Sequence, residues 1–305
     1  MSQAISVVIC TRTRPQLADL CLESLRRTDY PALEVIIVDN TDEGALNETA
    51  LQENVRVVHD PRPGLSRARN TGVRHASHDI IAFIDDDVVV ERGWLGAVAG
   101  ALEDDSVAGV TGLVVPAELE TEAQREFEWY GGMGKGGVRR RFAGAALPAR
   151  QAIGTQAVGV GANMAFRRSV IERIGGFDEA LGAGTVTLGA EDLDFFHRVL
   201  RAGLTICYEP AARVGHGHRR TVAELRSQIF ANGCAYGVYL MKIWSHRSVP
   251  RPVVAAFAFA WVAGRVGTAI FRSIARPGVR CLLAWDEVRG AASAPTAYRR
   301  SYGGV

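Results

Sequence analysis

Short apolar runs alternate with helix-periodic segments over the first 115 residues. Residues 5–10 (ISVVIC), 34–38 (EVIIV), 55–58 (VRVV), 80–84 (IIAFI) and 107–115 (VAGVTGLVV) are rich in β-branched side chains and read as strands. Between them Leu17, Leu20, Cys21 and Leu25 recur at helical spacing, and residues 66–76 and 94–102 read as helices. This alternation restricts the chain to an α/β class with a mostly parallel central sheet and helices on both faces. In such sheets the ligand crevice lies beyond the carboxyl ends of the strands. Polar residues cluster there: Thr11 and Arg12 after the first strand, Asp39 after the second, and Asp85, Asp86 and Asp87 after the fourth.

The aspartates interrupt an apolar run, IAFIDDDVVV at residues 81–90. A buried carboxylate without a partner is costly, so the triplet needs one. Asp85 and Asp87 are two apart, and on an extended strand they face the same side. Two carboxylates converging at a crevice make a hard-oxygen site for Mg²⁺ or Mn²⁺, ions that also bind substrate phosphates. A second acidic set, Glu191 and Asp192, opens a helix predicted over 191–202. There a carboxylate either caps the helix dipole or faces the crevice as a general base. Downstream, residues 205–208 read as a strand, and His216 and His218 follow it in a Gly-rich turn as candidate metal ligands.

Other regions are less regular. Residues 118–152 contain GGMGKGG (131–137) followed by Arg139, Arg140 and Arg141, and read as a mobile loop or lid. Residues 169–174 read as a short helix stopped by Gly175 and Gly176. In the tail, residues 253–271 carry one charge, Arg265, and the unbroken apolar part covers 12 residues. A spanning helix needs about 20 residues, and a central arginine makes spanning costly. The preferred reading is a helix packed on the domain. The alternative is an interfacial membrane helix flanked by Arg251, Arg272 and Arg276.

The net charge of +2 gives no electrostatic footprint for nucleic acid. Lys135 and Lys242 are the only lysines among 35 basic residues. Five cysteines with no C-x-x-C argue against a disulfide framework or a zinc site and fit a reducing compartment. The opening MSQAISVVIC reads as a strand, not a signal peptide. The expected localisation is cytoplasmic, with peripheral contact at the inner face of a membrane if the tail is interfacial.

The order of these motifs resembles the family 2 glycosyltransferases of the GT-A fold. The matching stretches are SVVICTRTRP, EVIIVDNTD, GLSRARNTGVRHA, IAFIDDDVV, GANMAFRRSVIERIGGFDEAL, GAEDLDFFHRVLRAG and YEPAARVGH, spread over residues 5–216. The resemblance implies a Rossmann-like nucleotide-sugar-binding half (1–115), an acceptor-binding half of the same domain (116–225) and a helical C-terminal extension (226–305). It implies a nucleoside-diphosphate sugar donor, with a UDP sugar favoured, and one inverting displacement onto an acceptor hydroxyl. Thr11 and Asp39 match positions holding base and ribose; Arg12 and Asp86 flank them. Arg69 matches a position near the diphosphate and Asp85 one contacting the nucleotide. Asp87 matches the metal ligand of the D-x-D motif and Asp192, beside Glu191, the catalytic base. His216 matches a histidine near metal or diphosphate, with His218 as its competitor. The acceptor, whether glycan, lipid-linked or natural product, is not readable.

Three rival readings make different demands on the sequence. A sugar nucleotidyltransferase carries G-x-G-T-R after its first strand, whereas this turn is Thr11-Arg12-Thr13-Arg14-Pro15. A processive synthase carries Q-x-x-R-W and several spanning helices. A non-catalytic sugar-nucleotide-binding or scaffold protein would be marked by loss of Asp87 or Asp192, and both are present.

Overall fold

The computed structural model describes residues 3–12, 15–28, 30–44, 54–275 and 278–303, without the side chains of 15–18. Thr13, Arg14, Arg276 and the Leu17 side chain lie outside the described residues.

The strand runs pair as their patterning requires. β1 (Ile5–Thr11), β2 (Leu33–Asp39), β3 (Val55–His59) and β4 (Ile80–Asp85) form a parallel block in the order β3-β2-β1-β4. Alternate residues of β1 serve opposite cores. Ile5, Val7 and Ile9 pack under α1 (Pro15–Arg26), while Val8 packs against Ala68 of α2 (Leu65–His75). Both faces of the block are therefore covered, and its strands carry near-continuous apolar runs.

Beyond β4 the sheet is mixed. The order continues through β8 (Asn163–Arg167), β6 (Val107–Pro116) and β9 (Thr205–His216) to the short β5 (Val88–Val90), and β7 (Arg140–Ala143) pairs with β9. β8 runs antiparallel to both β4 and β6, whereas β6 and β9 are parallel. The parallel pairing read from the sequence thus holds for the first four strands and for the β6–β9 pair. Three short strands escaped that reading because β5, β7 and β8 are three to five residues long.

Other expectations need correction. The strand read at 205–208 is a 12-residue β9 that ends on His216. The segment read as a mobile loop at 118–152 is largely built: α4 (Glu122–Tyr130) opens with a capping box between Thr121 and Gln124, and β7 and α5 (Ala149–Ile153) follow. Irregular backbone persists between Gly131 and Arg139. α3 (Trp94–Ala101), α6 (Arg168–Ile174) and α7 (Glu191–Arg201) match the helices read near those positions.

The tail forms three long helices: α8 (Val222–His246), α9 (Arg251–Ala275) and α10 (Val279–Tyr302). α8 and α10 cross closely because Gly233 and Gly290 carry no side chain; a Cβ on Gly290 would meet the Phe230 carbonyl oxygen at 2.0 Å. α9 packs on the tail along one side, through Val254, Phe257 and Trp261, as the preferred sequence reading expects, and leaves its other side open. It is one 25-residue helix, long and apolar enough to cross a membrane, and only 11% of its most apolar stretch is buried. Phe259, Phe271 and Ile274 are exposed on it.

Candidate active site

The ends of β1, β4 and β9 meet the N-terminus of α7 around a cleft of about 690 Å³. Four parts of the chain position its acidic wall. β4 ends at Asp85, residues 86–87 make a two-residue turn, and β5 returns at Val88. Asp85 and Asp87 therefore converge through a turn, not along an extended strand as the sequence reading assumed. β9 pairs antiparallel with β5, setting His216 beside Val88. Ligand atoms of Asp85, Asp87 and His216 all lie within 4.8 Å of one another, with His216 Nε2 3.2 Å from Asp87 Oδ1. Two carboxylate oxygens and one imidazole nitrogen at this separation are a donor set that could hold a divalent cation. Burial pushes the Asp85 carboxyl up, Arg69 opposes this, and Asp87 adds to it.

Geometry separates the two histidines. His218 faces away from the aspartates, its Nε2 2.8 Å from Glu128 Oε1 and its Nδ1 3.3 Å from His216 Nδ1. It supports His216 from behind.

Asp86 turns to the sheet. Its Oδ2 accepts the Thr11 hydroxyl at 2.8 Å, tying the end of β1 to the turn after β4. Asp39 is 1% exposed, and its Oδ1 accepts the Thr41 N–H. Asn40, not Asp39, forms the cleft wall there. Arg12 lines the cleft, 3.5 Å from Asp42. Cys10, half-buried, also lines it, and burial pushes its thiol up to about 12, away from the thiolate form.

The second acidic set comes from an unusual turn. Leu188 and Ala190 adopt left-handed backbone (φ 65° and 74°) on either side of Gly189 (φ 159°). Left-handed non-glycine residues cost about 1–3 kcal/mol each and gather at functional sites. Asp192 is then fixed from two sides, its Oδ2 accepting the Gly161 N–H at 2.8 Å and its Oδ1 the Leu193 N–H at 2.7 Å. Gly161 packs closely here: a Cβ would lie 3.0 Å from Arg69 and 3.2 Å from Asp192.

Arg69 binds the two acidic sets together. Its guanidinium is 3% exposed and reaches Glu191 at 2.9 Å, Asp85 at 3.2 Å and the Gly161 carbonyl at 3.1 Å. It is itself part of the cleft lining and positions Asp85 and Glu191. Burial raises the Glu191 carboxyl, as does neighbouring Asp192, with Arg69 opposing.

Comparison with known proteins bears on these motifs. The model of the family described as "Glycosyl transferase family 2" matches residues 6–175, more than half of the chain. The chain belongs to glycosyl transferase family 2. Among relatives of this family 2 chain, a pre-mycofactocin glycosyltransferase of Mycobacterium tuberculosis is 29% identical over 274 residues. That match covers 88% of this chain and 54% of the relative, so the chain spans about half of that protein's length. Succinoglycan biosynthesis protein ExoM of Rhizobium meliloti is 30% identical, covering 76% of this chain and 74% of ExoM. Glucosyl-dolichyl phosphate glucuronosyltransferase of Haloferax volcanii is 28% identical, covering 70% and 68%. In fold, the chain resembles mannosyltransferase PcManGT from Pyrobaculum calidifontis, solved with GDP-Man and Mn²⁺, at TM-score 0.62 and 17% identity over 97% of this chain and 88% of that one. The fold is the GT-A arrangement that the motif order implies.

Sequence reading missed several residues on the cleft of this family 2 chain. Lys135, from the Gly-rich segment, lines it; burial lowers its ammonium while Asp192 opposes. Its rarity as a lysine was the available signal. Tyr236, Trp261, Arg265 and Glu287 enter from the three tail helices. The tail carries no family motif, so no signal pointed to them.

Proposed function

We propose that this protein is an inverting, non-processive glycosyltransferase. It moves one hexosyl group from a nucleoside-diphosphate sugar to an acceptor hydroxyl and depends on a divalent cation. The observation that carries the reading is the convergence of Asp85, Asp87 and His216 within 4.8 Å in the same cleft as the backbone-anchored Asp192. Residues 1–115 bind the donor and 116–225 face the acceptor. UDP sugars are the first donors to test, and GDP-mannose the second, because the structural neighbour holds it.

Asp87 and His216, with Asp85, would hold Mn²⁺ or Mg²⁺. When bound, the cation would supply positive charge to offset the charge that builds on the leaving diphosphate. Asp192 takes the proton of the acceptor hydroxyl, whose oxygen bonds to the anomeric carbon from the face opposite the departing diphosphate. The glycosidic bond to that diphosphate breaks in the same displacement and the anomeric configuration inverts. Arg69 keeps Asp85 and Glu191 in register, and Lys135 brings positive charge to the cleft. The exposed apolar side of α9 supports peripheral membrane contact as part of this reading.

The test is release of nucleoside diphosphate from a panel of UDP and GDP sugars with Mn²⁺. Asp192→Asn should lower turnover by a factor of about 100 or more, within the range of general-base losses, while donor binding persists. Unchanged turnover in Asp192→Asn would contradict the assignment. Donor binding without turnover in the wild type, across an acceptor panel, would favour a sugar-nucleotide-binding scaffold.

A further inference from the structure

We propose that the C-terminal helices build a subsite against the Asp192 turn that holds the terminal sugar ring of the acceptor, with Trp261 offering a ring face and Tyr236 a hydrogen bond. The proposal rests on the glycosyl-transfer reading of the same cleft and assigns its acceptor class.

α8 lies directly on the turn that delivers Asp192. A Cβ on Gly189 would be 3.1 Å from the Ala235 Cβ, and Ala190 and Leu193 share an apolar cluster with Ala235, Tyr236 and Trp261. Tyr236 and Trp261 are therefore neighbours of the catalytic turn, although they come from helices α8 and α9. Their rings pack with centroids 4.7 Å apart and planes tilted by 44°.

Tyr236 is 6% exposed and lines the cleft, and its buried hydroxyl closes no hydrogen bond of full geometry among the described residues. A buried polar group left unsatisfied costs about 1–3 kcal/mol, and native structures rarely retain one without use. Gln156 stands close enough to oppose the effect of burial on this hydroxyl, but the geometry does not close a bond. Burial pushes the hydroxyl up to about 12, so it meets a ligand as a neutral group.

The edge of the subsite is polar. Arg265 places its guanidinium 5.9 Å from the Trp261 ring centre and 3.3 Å from Glu287, which also accepts the Tyr130 hydroxyl. An aromatic wall bordered by this hydroxyl, an amide and an ion pair complements a ring with an apolar face and a hydroxylated edge. The reaction requires a hydroxyl delivered to Asp192. A sugar ring meets both demands at once: it covers the aromatic wall and carries hydroxyls toward the base.

The experiment uses the full chain labelled with 5-fluorotryptophan, with the Trp261 signal assigned from Trp261→Phe. Methyl α- and β-glycosides of glucose, mannose and galactose are titrated in the presence of Mn²⁺ and UDP or GDP. We expect at least one glycoside to shift the Trp261 resonance saturably. Tyr236→Phe, which only removes the hydroxyl, should weaken that glycoside about fivefold, the worth of one neutral hydrogen bond. Its nucleotide affinity should stay within about twofold of wild type, because Tyr236 stands on α8 whereas Asp85, Asp87 and His216 stand at the strand ends. Three results overturn the proposal: no glycoside moves Trp261 although nucleotide binds; Tyr236→Phe binds the glycoside as wild type does; or 4-methylphenol binds as tightly as any glycoside. Glycoside binding without nucleotide binding keeps the subsite and removes the donor reading. Nucleotide binding without glycoside binding keeps the donor reading and removes the subsite.

Discussion

Replacing Lys242 by methionine tests how the tail is fastened to the catalytic helix. The Lys242 side chain is 10% exposed and contacts Asp178 at 2.5 Å and Asp194 at 2.7 Å. Asp194 lies on α7, two residues after Asp192, and Lys242 on α8. Methionine keeps most of the stem packing and removes the charge. Breaking a buried ion pair from one side costs about 3–5 kcal/mol, because the remaining charge stays buried. Here both carboxylates keep a second partner: Arg198 at 2.8 Å for Asp194, and the Tyr302 hydroxyl at 2.7 Å for Asp178. We therefore expect a loss near the lower bound, about 3 kcal/mol, read by urea unfolding at pH 7. The pH dependence follows from Asp178. Burial opposes ionisation, but the bonds from Lys242 and Tyr302 prevail and its carboxyl lies below the ordinary value. A depressed carboxylate stabilises the fold above its unfolded value of about 3.9, and that stability is lost as pH falls through the folded value. The difference between wild type and Lys242→Met should hold from pH 7 to about 4 and shrink below it. A loss under about 1 kcal/mol at pH 7, the level of an exposed pair, or an equal loss at pH 3, would refute the reasoning.

Three further outcomes are expected. Gly290→Val should separate α10 from α8, since even a Cβ would meet the Phe230 carbonyl oxygen at 2.0 Å; overpacking of this kind costs about 1–3 kcal/mol, read as a lower urea midpoint. At Asp60, bonds from the Arg62 guanidinium and the Thr71 hydroxyl hold the carboxyl well below the usual range against burial, so Asp60→Asn should flatten the fall in stability below about pH 4. A flotation assay with vesicles containing anionic lipid should recover the wild type and lose Phe259→Glu/Ile274→Glu, whose apolar side chains are 77% and 80% exposed. Equal recovery of both would remove the membrane contact.

Legibility followed sequence distance. The parallel block could be read because β1, β2 and β4 are continuous apolar runs that end on polar residues; Asp85 and Asp87 stood out for that reason, and Asp192 because it opens a helix beside Glu191. β8 was hidden because its five residues, NMAFR, mix a polar and a charged side chain with apolar ones. The pairing of His216 with Asp87 depends on β5 meeting β9, more than 120 positions away, and no local pattern encodes it. Arg69 was visible by resemblance, but its burial between Glu191 and Asp85 is a tertiary fact. Leu188 and Ala190 carry left-handed backbone that their residue types disfavour, so only Gly189 hinted at that turn. The tail aromatics were indistinguishable from core residues until α8 was seen to rest on Gly189.

The central claim is that the aspartates serve a metal and a nucleoside diphosphate. Calorimetric titration of UDP, GDP and dTDP, each with and without Mn²⁺, on wild type and Asp87→Ala tests it most directly. We predict metal-dependent binding of one nucleotide, weakened at least about tenfold in the variant, the effect expected for loss of one ligand group. A folded wild type that binds none of the three, or that binds equally well without metal and in Asp87→Ala, would contradict it.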